Sequence, residues 1–287
     1  MSADRTRPGP VVTGFDGSPE ASRAVRWAAA EAKARGLGLV LAHAGDAAEA
    51  ESAQRQLAST VDALGRSDPG LDVRTVVRDD APEQVLTAVA DETDATMIVL
   101  GESHTGIFTR AVLGSTESGV TKTAGRPVVV VRGEEPPPDG PVILGTDGSE
   151  QSAQAAGFAF DFAARHGLTV HAVHVARMPI WGPASEPLLG GPVLDPAPGL
   201  PQEVADELVA RQLKPWQERY PDVAVEMVHG IGPAAQALTV QSSEAALLVL
   251  GRSDHGDLRR LLLGSISDDA LHHAHCPVAV VRAQPVG

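Results

Sequence analysis

Two short segments of this 287-residue chain have residue types and spacing suited to one ligand crevice, the second of them to holding a negative charge. The first, Asp16-Gly17-Ser18, follows the apolar run Val11–Gly14 and recurs as Asp147-Gly148-Ser149 after Val142–Gly145. The second opens at Gly101 and closes on Gly114-Ser115; it recurs from Gly251 to Gly264-Ser265. Glycine at a strand end lets the backbone approach a ligand closely. Gly-Ser at the start of a helix offers free N–H groups and the positive end of the helix dipole to an anion. Such a site needs hardly any basic side chains. Ser115 and Ser265 also suit plain helix caps, worth ~0.5–2 kcal/mol each. The signal is therefore the identical spacing of strand-end glycine and Gly-Ser in both repeats.

The elements that must position these loops repeat as well. An offset of 131 carries Val11–Ser18 onto Val142–Ser149, Trp27 onto Phe158, Gly36 onto Gly167 and His43 onto His174. An offset of 150 carries Leu100-Gly101 onto Leu250-Gly251, Gly114-Ser115 onto Gly264-Ser265, and Pro127–Arg132 onto Pro277–Arg282. Val11–Gly14, Leu39–His43, Val73–Val77, Met97–Leu100 and Val128–Val131 are short apolar runs of the kind buried on both faces of a parallel sheet. Between them lie amphipathic stretches such as Ser18–Arg35, with Ala21, Ala24, Val25 and Ala28 at helical spacing. The expected fold is α/β: two tandem doubly wound, Rossmann-like domains. Each would be a five-stranded parallel sheet in the order 3-2-1-4-5 with helices on both faces. In that order the direction of travel through the sheet reverses between strands 1 and 4, where ligands of open α/β sheets bind. Both loops face that crevice. The expected domains are residues 1–134 and 140–287, joined through the proline-rich stretch Gly133–Asp139. Arg177–Pro201, a Pro/Gly-rich insertion in the second copy, reads as a surface loop, with a lid or docking loop built on Trp181, Leu188 and Leu189 as the alternative.

Composition narrows the function. A net charge of −14 argues against nucleic acid, whose backbone is held by clustered Lys and Arg. No apolar run approaches the ~20 residues of a membrane span, and MSADRTRPGP has no signal-peptide core. Cys276 is the single cysteine, so no internal disulfide framework exists; a cytoplasmic setting is the simplest expectation.

In these loops and their spacing, the sequence resembles the tandem universal stress proteins over nearly its whole length, including the closing His275–Arg282. ATP-binding members of that family carry G-2x-G-9x-G-[ST] after strand 4 and an aspartate after strand 1. The resemblance implies ATP, with Mg²⁺ as a companion ion, held at nucleotide-binding residues in each copy. Asp16 with Gly17, and Asp147 with Gly148, would sit by the adenosine part; Ala44 and Val175 would line the adenine pocket. Gly101, Gly114 and Ser115 in copy one, and Gly251, Gly264, Ser265 and Ser267 in copy two, would hold ribose and phosphates. It also implies that Val128–Val131 and Val278–Val281 pair across a pseudo-twofold, making a pseudo-dimer inside one chain; further association into a homodimer is left open. The family's second glycine is His104 in copy one and Asp254 in copy two. Copy one carries Glu117 where copy two keeps Ser267, so phosphate at copy one needs Mg²⁺ or Arg110 as counter-charge. Copy two is expected to be the better site.

Other clusters carry less. His272, His273, His275 and Cys276 suggest metal ligands, but the other copy has Lys122, Thr123, Gly125 and Arg126 there, and His suits a helix C-terminus. His43 and His174 read as core-edge histidines, with a catalytic role as the alternative. Neither a P-loop nor a nucleophile elbow occurs. No lysine lies in either glycine loop, which disfavours fast phosphoryl transfer. The leading function is a stress-response protein with adenine nucleotide as a regulatory ligand and slow or no hydrolysis. The alternatives are an interaction module with degenerate loops, and an enzyme cleaving at the α-phosphate with Asp16, Asp147 or Asp254 as base.

Overall fold

A computed structural model of the chain describes residues 8–45, 50–102, 119–121, 123–133, 136–176, 202–252 and 265–282. The first copy contributes β1 (Val11–Gly14), β2 (Leu39–Ala44), β3 (Val73–Arg78), β4 (Met97–Gly101) and β5 (Val128–Val131). The second contributes β6 (Val142–Gly145), β7 (Val170–Ala176), β8 (Val225–Ile231), β9 (Leu247–Arg252) and β10 (Val278–Arg282). Each set is parallel in the expected order 3-2-1-4-5. The sets join through β5 and β10 into one ten-stranded sheet, β3-β2-β1-β4-β5-β10-β9-β6-β7-β8. That seam is antiparallel, with Val130 opposite Val278 and Val128 opposite Val280.

Strand alternation builds two cores. One face sends Val11, Leu39, Leu41, Met97, Val99 and Val129 towards α1 (Pro19–Arg35) and α2 (Ala50–Ser67). The other sends Val12, Val40, Ile98, Leu100 and Val130 towards α3 (Pro82–Glu92) and the helical residues 119–121 and 123. Copy two continues both layers, with α4 (Glu150–His166) and α5 (Gln202–Arg219) on the first face. α6 (Ala234–Gln241) and α7 (Ser265–His273) lie on the second. Burial on both faces explains why the strands are runs of Val, Leu and Ile rather than alternating sequences. Residues 177–201, expected to form a loop, and 134–135 of the linker lie outside the described residues.

α1 and α4 begin and end by the same devices. Ser18 Oγ accepts from the Ala21 amide at 3.0 Å, and Ser149 Oγ from the Ser152 amide at 3.3 Å. Gly36 and Gly167 take left-handed C-terminal positions at φ 66° and 67°. α1 buries Ala21, Ala24, Ala28 and Ala32, small enough to bring its axis close to the sheet.

These two helices also meet each other across the pseudo-twofold. Trp27 stacks on Phe162 with centroids 6.0 Å apart. Beside this pair lies an ion network: Glu31 is 1% exposed, accepting from Arg35 Nε at 2.5 Å and from His166 Nε2 at 2.8 Å. Arg35 Nη1 reaches Asp161 at 2.6 Å, and Arg165 closes on the same carboxylate at 3.0 Å. Opposite charges balance, which is what makes burial of Glu31 tolerable. Burial pushes the Asp161 carboxyl up, but the hydrogen bond from Arg165 and the charges of Arg35 and Arg165 outweigh it. Its pKa therefore lies below the usual carboxylate range.

This network makes two effects measurable. Glu31→Ala removes one of the two carboxylates that hold the buried Arg35 guanidinium and should lower the unfolding free energy by ~3 kcal/mol, read from urea melts; a loss below ~1 kcal/mol would mean a solvent-screened pair. Asp161, depressed on folding, contributes stability above its unfolded pKa of about 3.9 that is lost as pH falls through the folded value. Asp161→Asn should therefore shrink the stability difference between neutral pH and pH ~2, and an unchanged difference contradicts the assignment.

Candidate functional site

The site is assembled where β1 and β4 run side by side, Val11 opposite Met97 and Thr13 opposite Val99. Beyond β1 the chain turns through Asp16-Gly17-Ser18. Asp16 Oδ1 accepts from the Ser18 amide at 2.9 Å, and Gly17 adopts φ 81°. Copy two repeats the turn: Asp147 Oδ1 accepts from Ser149 N at 3.0 Å, and Gly148 has φ 77°. A positive φ there is cheap only for glycine. The carboxylate of Asp16 thus organises its own loop while remaining at the surface.

β4 ends against that loop's helix. A Cβ on Gly101 would lie 2.6 Å from the Glu20 carbonyl and 2.9 Å from the Ala21 amide nitrogen. Backbone therefore meets backbone at the first turn of α1, and only glycine permits it. In copy one, the strand end at Gly101, where the second loop begins, therefore lies against the helix that the Asp16 turn opens. In copy two, α4, the helix that the Asp147 turn opens, packs on β9, the strand that ends in Gly251-Arg252.

The far wall comes from β2 and β7. His43 Nδ1 donates to the Phe15 carbonyl at 2.7 Å, and His174 Nδ1 contacts the Thr146 carbonyl at 3.0 Å. Each ring ties the end of its strand to the residue just before the aspartate. Ala44 and Val175, next in sequence, are half-buried beside the same crevice-side core. A histidine fixed through Nδ1 accounts for its recurrence in both copies.

The copies differ in chemistry. In copy one, Gln56 of α2 sits against Gly17, and Phe15 is buried below it. In copy two the place of Phe15 is taken by Thr146, whose hydroxyl meets Gln212 Oε1 at 3.1 Å; Gln212 Nε2 donates to Ser152 Oγ at 2.9 Å. Partial desolvation pushes the Asp147 carboxyl up, but hydrogen bonds from Ser149 and Ser152 outweigh it and hold it below the usual range. It is anionic at neutral pH. The residue after the strand-end glycine differs in sign: Glu102 in copy one, paired with Arg132 at 2.7 Å, and the buried Arg252 in copy two. Sequence comparison alone missed Gln56, Gln212 and the Glu102/Arg252 exchange. The last was legible as a charge reversal at offset 150.

Gly114, Ser115, Gly264, His104, Glu117, Arg110 and Asp254 lie outside the described residues. Ser265 opens α7, and Ser267, in its first turn, is buried. Near its other end, His272 Nδ1 contacts the Asp268 carbonyl at 2.7 Å. Cys276 is buried, its Sγ 3.4 Å from the Pro277 carbonyl, and burial pushes its thiol up to about 12. Among the described residues no group of three or more His, Cys, Asp or Glu gathers around a common point. Nor is any described helix long and apolar enough to cross a membrane.

Each crevice is bordered by an aspartate whose carboxylate accepts from the backbone of its own turn, and among the described residues no general base–nucleophile pair is present. Comparison with known proteins agrees with the duplication and the fold. A universal stress protein of Mycobacterium tuberculosis is 34% identical over 303 residues, covering 98% of this chain and 99% of its own. A functionally unknown protein from Pseudomonas aeruginosa superposes with TM-score 0.66 at 17% identity, covering 96% of this chain and 92% of the other. A universal stress protein from Archaeoglobus fulgidus gives 0.64 at 15% identity, covering 96% and 98%. The model of the universal stress protein family matches residues 9–132 and again 140–282, and the chain belongs to that family, with two copies of its domain in tandem.

Proposed function

We propose that this protein is a cytoplasmic stress-response protein that takes ATP or a related adenine nucleotide as a regulatory ligand, with slow or no hydrolysis. The observation that carries the reading is the convergence in copy one: the Asp16 loop and Gly101 meet at the first turn of α1, backbone against backbone. An ionised aspartate repels phosphate and accepts from hydroxyls, so Asp16 and Asp147 belong with the sugar. The glycine loops, with their amides and the start of the following helix, belong with the phosphates. Ala44 and Val175 supply an apolar wall for the base. When bound, Mg²⁺ would neutralise phosphate charge; in copy one that relief is needed most, because Glu102 and Glu117 both belong to the phosphate loop and its helix start. The chain's three lysines, Lys33, Lys122 and Lys214, all lie outside the glycine loops, which disfavours fast phosphoryl transfer.

The sign reversal from Glu102 to Arg252 supports unequal sites, with copy two the tighter. Calorimetric titration of ATP into Gly264→Ala should show affinity about tenfold weaker, ~1.4 kcal/mol, and into Gly114→Ala a smaller loss. A loss confined to Gly114→Ala overturns the ordering. Freshly purified protein, denatured and analysed by mass spectrometry, should release an adenine nucleotide. No release together with no calorimetric binding shifts the assignment to a nucleotide-free interaction module.

A further inference from the structure

Two buried arginines cross between the copies, and neither is explained by holding a nucleotide. Arg132, one residue beyond β5, is 7% exposed. Its Nη2 donates to the His272 carbonyl at 2.8 Å and to Glu102 at 2.7 Å, and its Nη1 donates to the Leu271 carbonyl. It therefore closes the C-terminus of α7 in the other copy. Arg252, the last residue of β9, is 4% exposed, and its Nη1 donates to the Thr121 carbonyl at 2.7 Å. It closes the corresponding helical segment of copy one. Thr121 and Leu271 are equivalent residues at offset 150, whereas Arg132 and Arg252 are not: Arg132 corresponds to Arg282, and Arg252 to Glu102. The same carbonyl is thus capped in both copies by guanidinium groups from different places in the repeat.

We propose that Arg132 and Arg252 are positioning residues acting across the pseudo-twofold, each anchoring from one copy the helix on which the other copy's crevice depends. The inference rests on the proposed nucleotide reading. α7 starts at Ser265, directly after the glycine loop, and its nine residues make a rod of ~13 Å. Its N-terminus would face phosphate while its C-terminal carbonyls are held by Arg132. A cation there satisfies orphan carbonyls and complements the dipole that favours an anion at the opposite end. Arg132 also grips Glu102, next to Gly101 of its own copy, and Arg252 itself follows Gly251. Each strand-end glycine is therefore one residue from a contact that continues into the other copy's helix. Filling one crevice fixes that contact and so sets the second, which makes the two sites coupled.

The test uses full-length protein and the double variant Glu102→Gln/Arg132→Met, which replaces a neutralised pair by an uncharged one. Photolabelling with 8-azido-ATP, with peptide mapping of the labelled protein, reads each copy separately. Labelling of copy two should fall about tenfold, and further than that of copy one. In nucleotide-free protein, amide exchange should rise across 265–273 in this variant, and across 119–124 in Arg252→Met. Arg132→Lys, with Glu102 intact, keeps the charge and should fall between the parent and the double variant if the latter folds poorly. Labelling lost only in copy one, or exchange unchanged in the opposite helix, overturns the proposal while leaving nucleotide binding standing. A parent protein that takes no label, yet shows the crossed exchange pattern, keeps the crosswise clamp and discards the nucleotide reading.

Discussion

A five-stranded parallel sheet ends, at its fifth strand, in a row of unpaired backbone N–H and C=O groups flanked by apolar side chains. In this chain that strand is Val128–Val131, and every one of its side chains is buried. Leaving such an edge in water would cost hydrogen bonds and invite association with other chains. Pairing it with β10 resolves both problems at once, and the antiparallel sense of the seam decides which ends of the two copies become neighbours. Because the two parallel sets run in opposite directions, the carboxyl end of β5 lies level with the amino end of β10. The end of one copy's strands, where Gly101 and Arg132 sit, is therefore beside the place where the other copy's α7 terminates. The crossed arginines are a consequence of that geometry.

The same seam brings α1 and α4 together on one face. Duplication inside one chain lets the two helices differ where they touch. Glu31 corresponds to Phe162 and Arg35 to His166 at offset 131. The observed contacts are Glu31 with His166 and with Arg35, Trp27 with Phe162, and Phe162 with His166. A symmetric pair of the first copy would instead gather two Glu31–Arg35 pairs on the axis, and a pair of the second would leave two histidines among aromatics without a buried carboxylate. Such an unlike pair of helix faces is closed to a symmetric dimer of either copy.

Much of the fold was legible because it is local. The strands are apolar on both faces, so their limits fell within one residue of those observed, as at Leu39–Ala44 and Met97–Gly101. Ser18 and Gly36 marked the ends of α1 through the caps that their side chain and backbone make. The Asp-Gly-Ser turn and the strand-end glycine were legible for the same reason, since each needs only its own few residues. Glu31 was not. A glutamate amid alanines reads as solvent-facing, and its burial depends on His166, 135 residues away. Arg132 and Arg252 were hidden differently: matching the repeats aligns Arg132 with Arg282, which separates the two residues that share a task.

That difference bears on how the two crevices should be compared. Their scaffolds are nearly superimposable in design, down to the aspartate turns and the histidine ties to Phe15 and Thr146. Their electrostatics are not, because the residue after the strand-end glycine is acidic in one and basic in the other. Arg132 neutralises Glu102 and is at the same time committed to α7 of copy two. The guanidinium that offsets Glu102 in copy one is therefore the one that holds the helix end of copy two. Under the proposed reading, an arrangement of that kind ties the two crevices together even though no side chain need reach from one into the other.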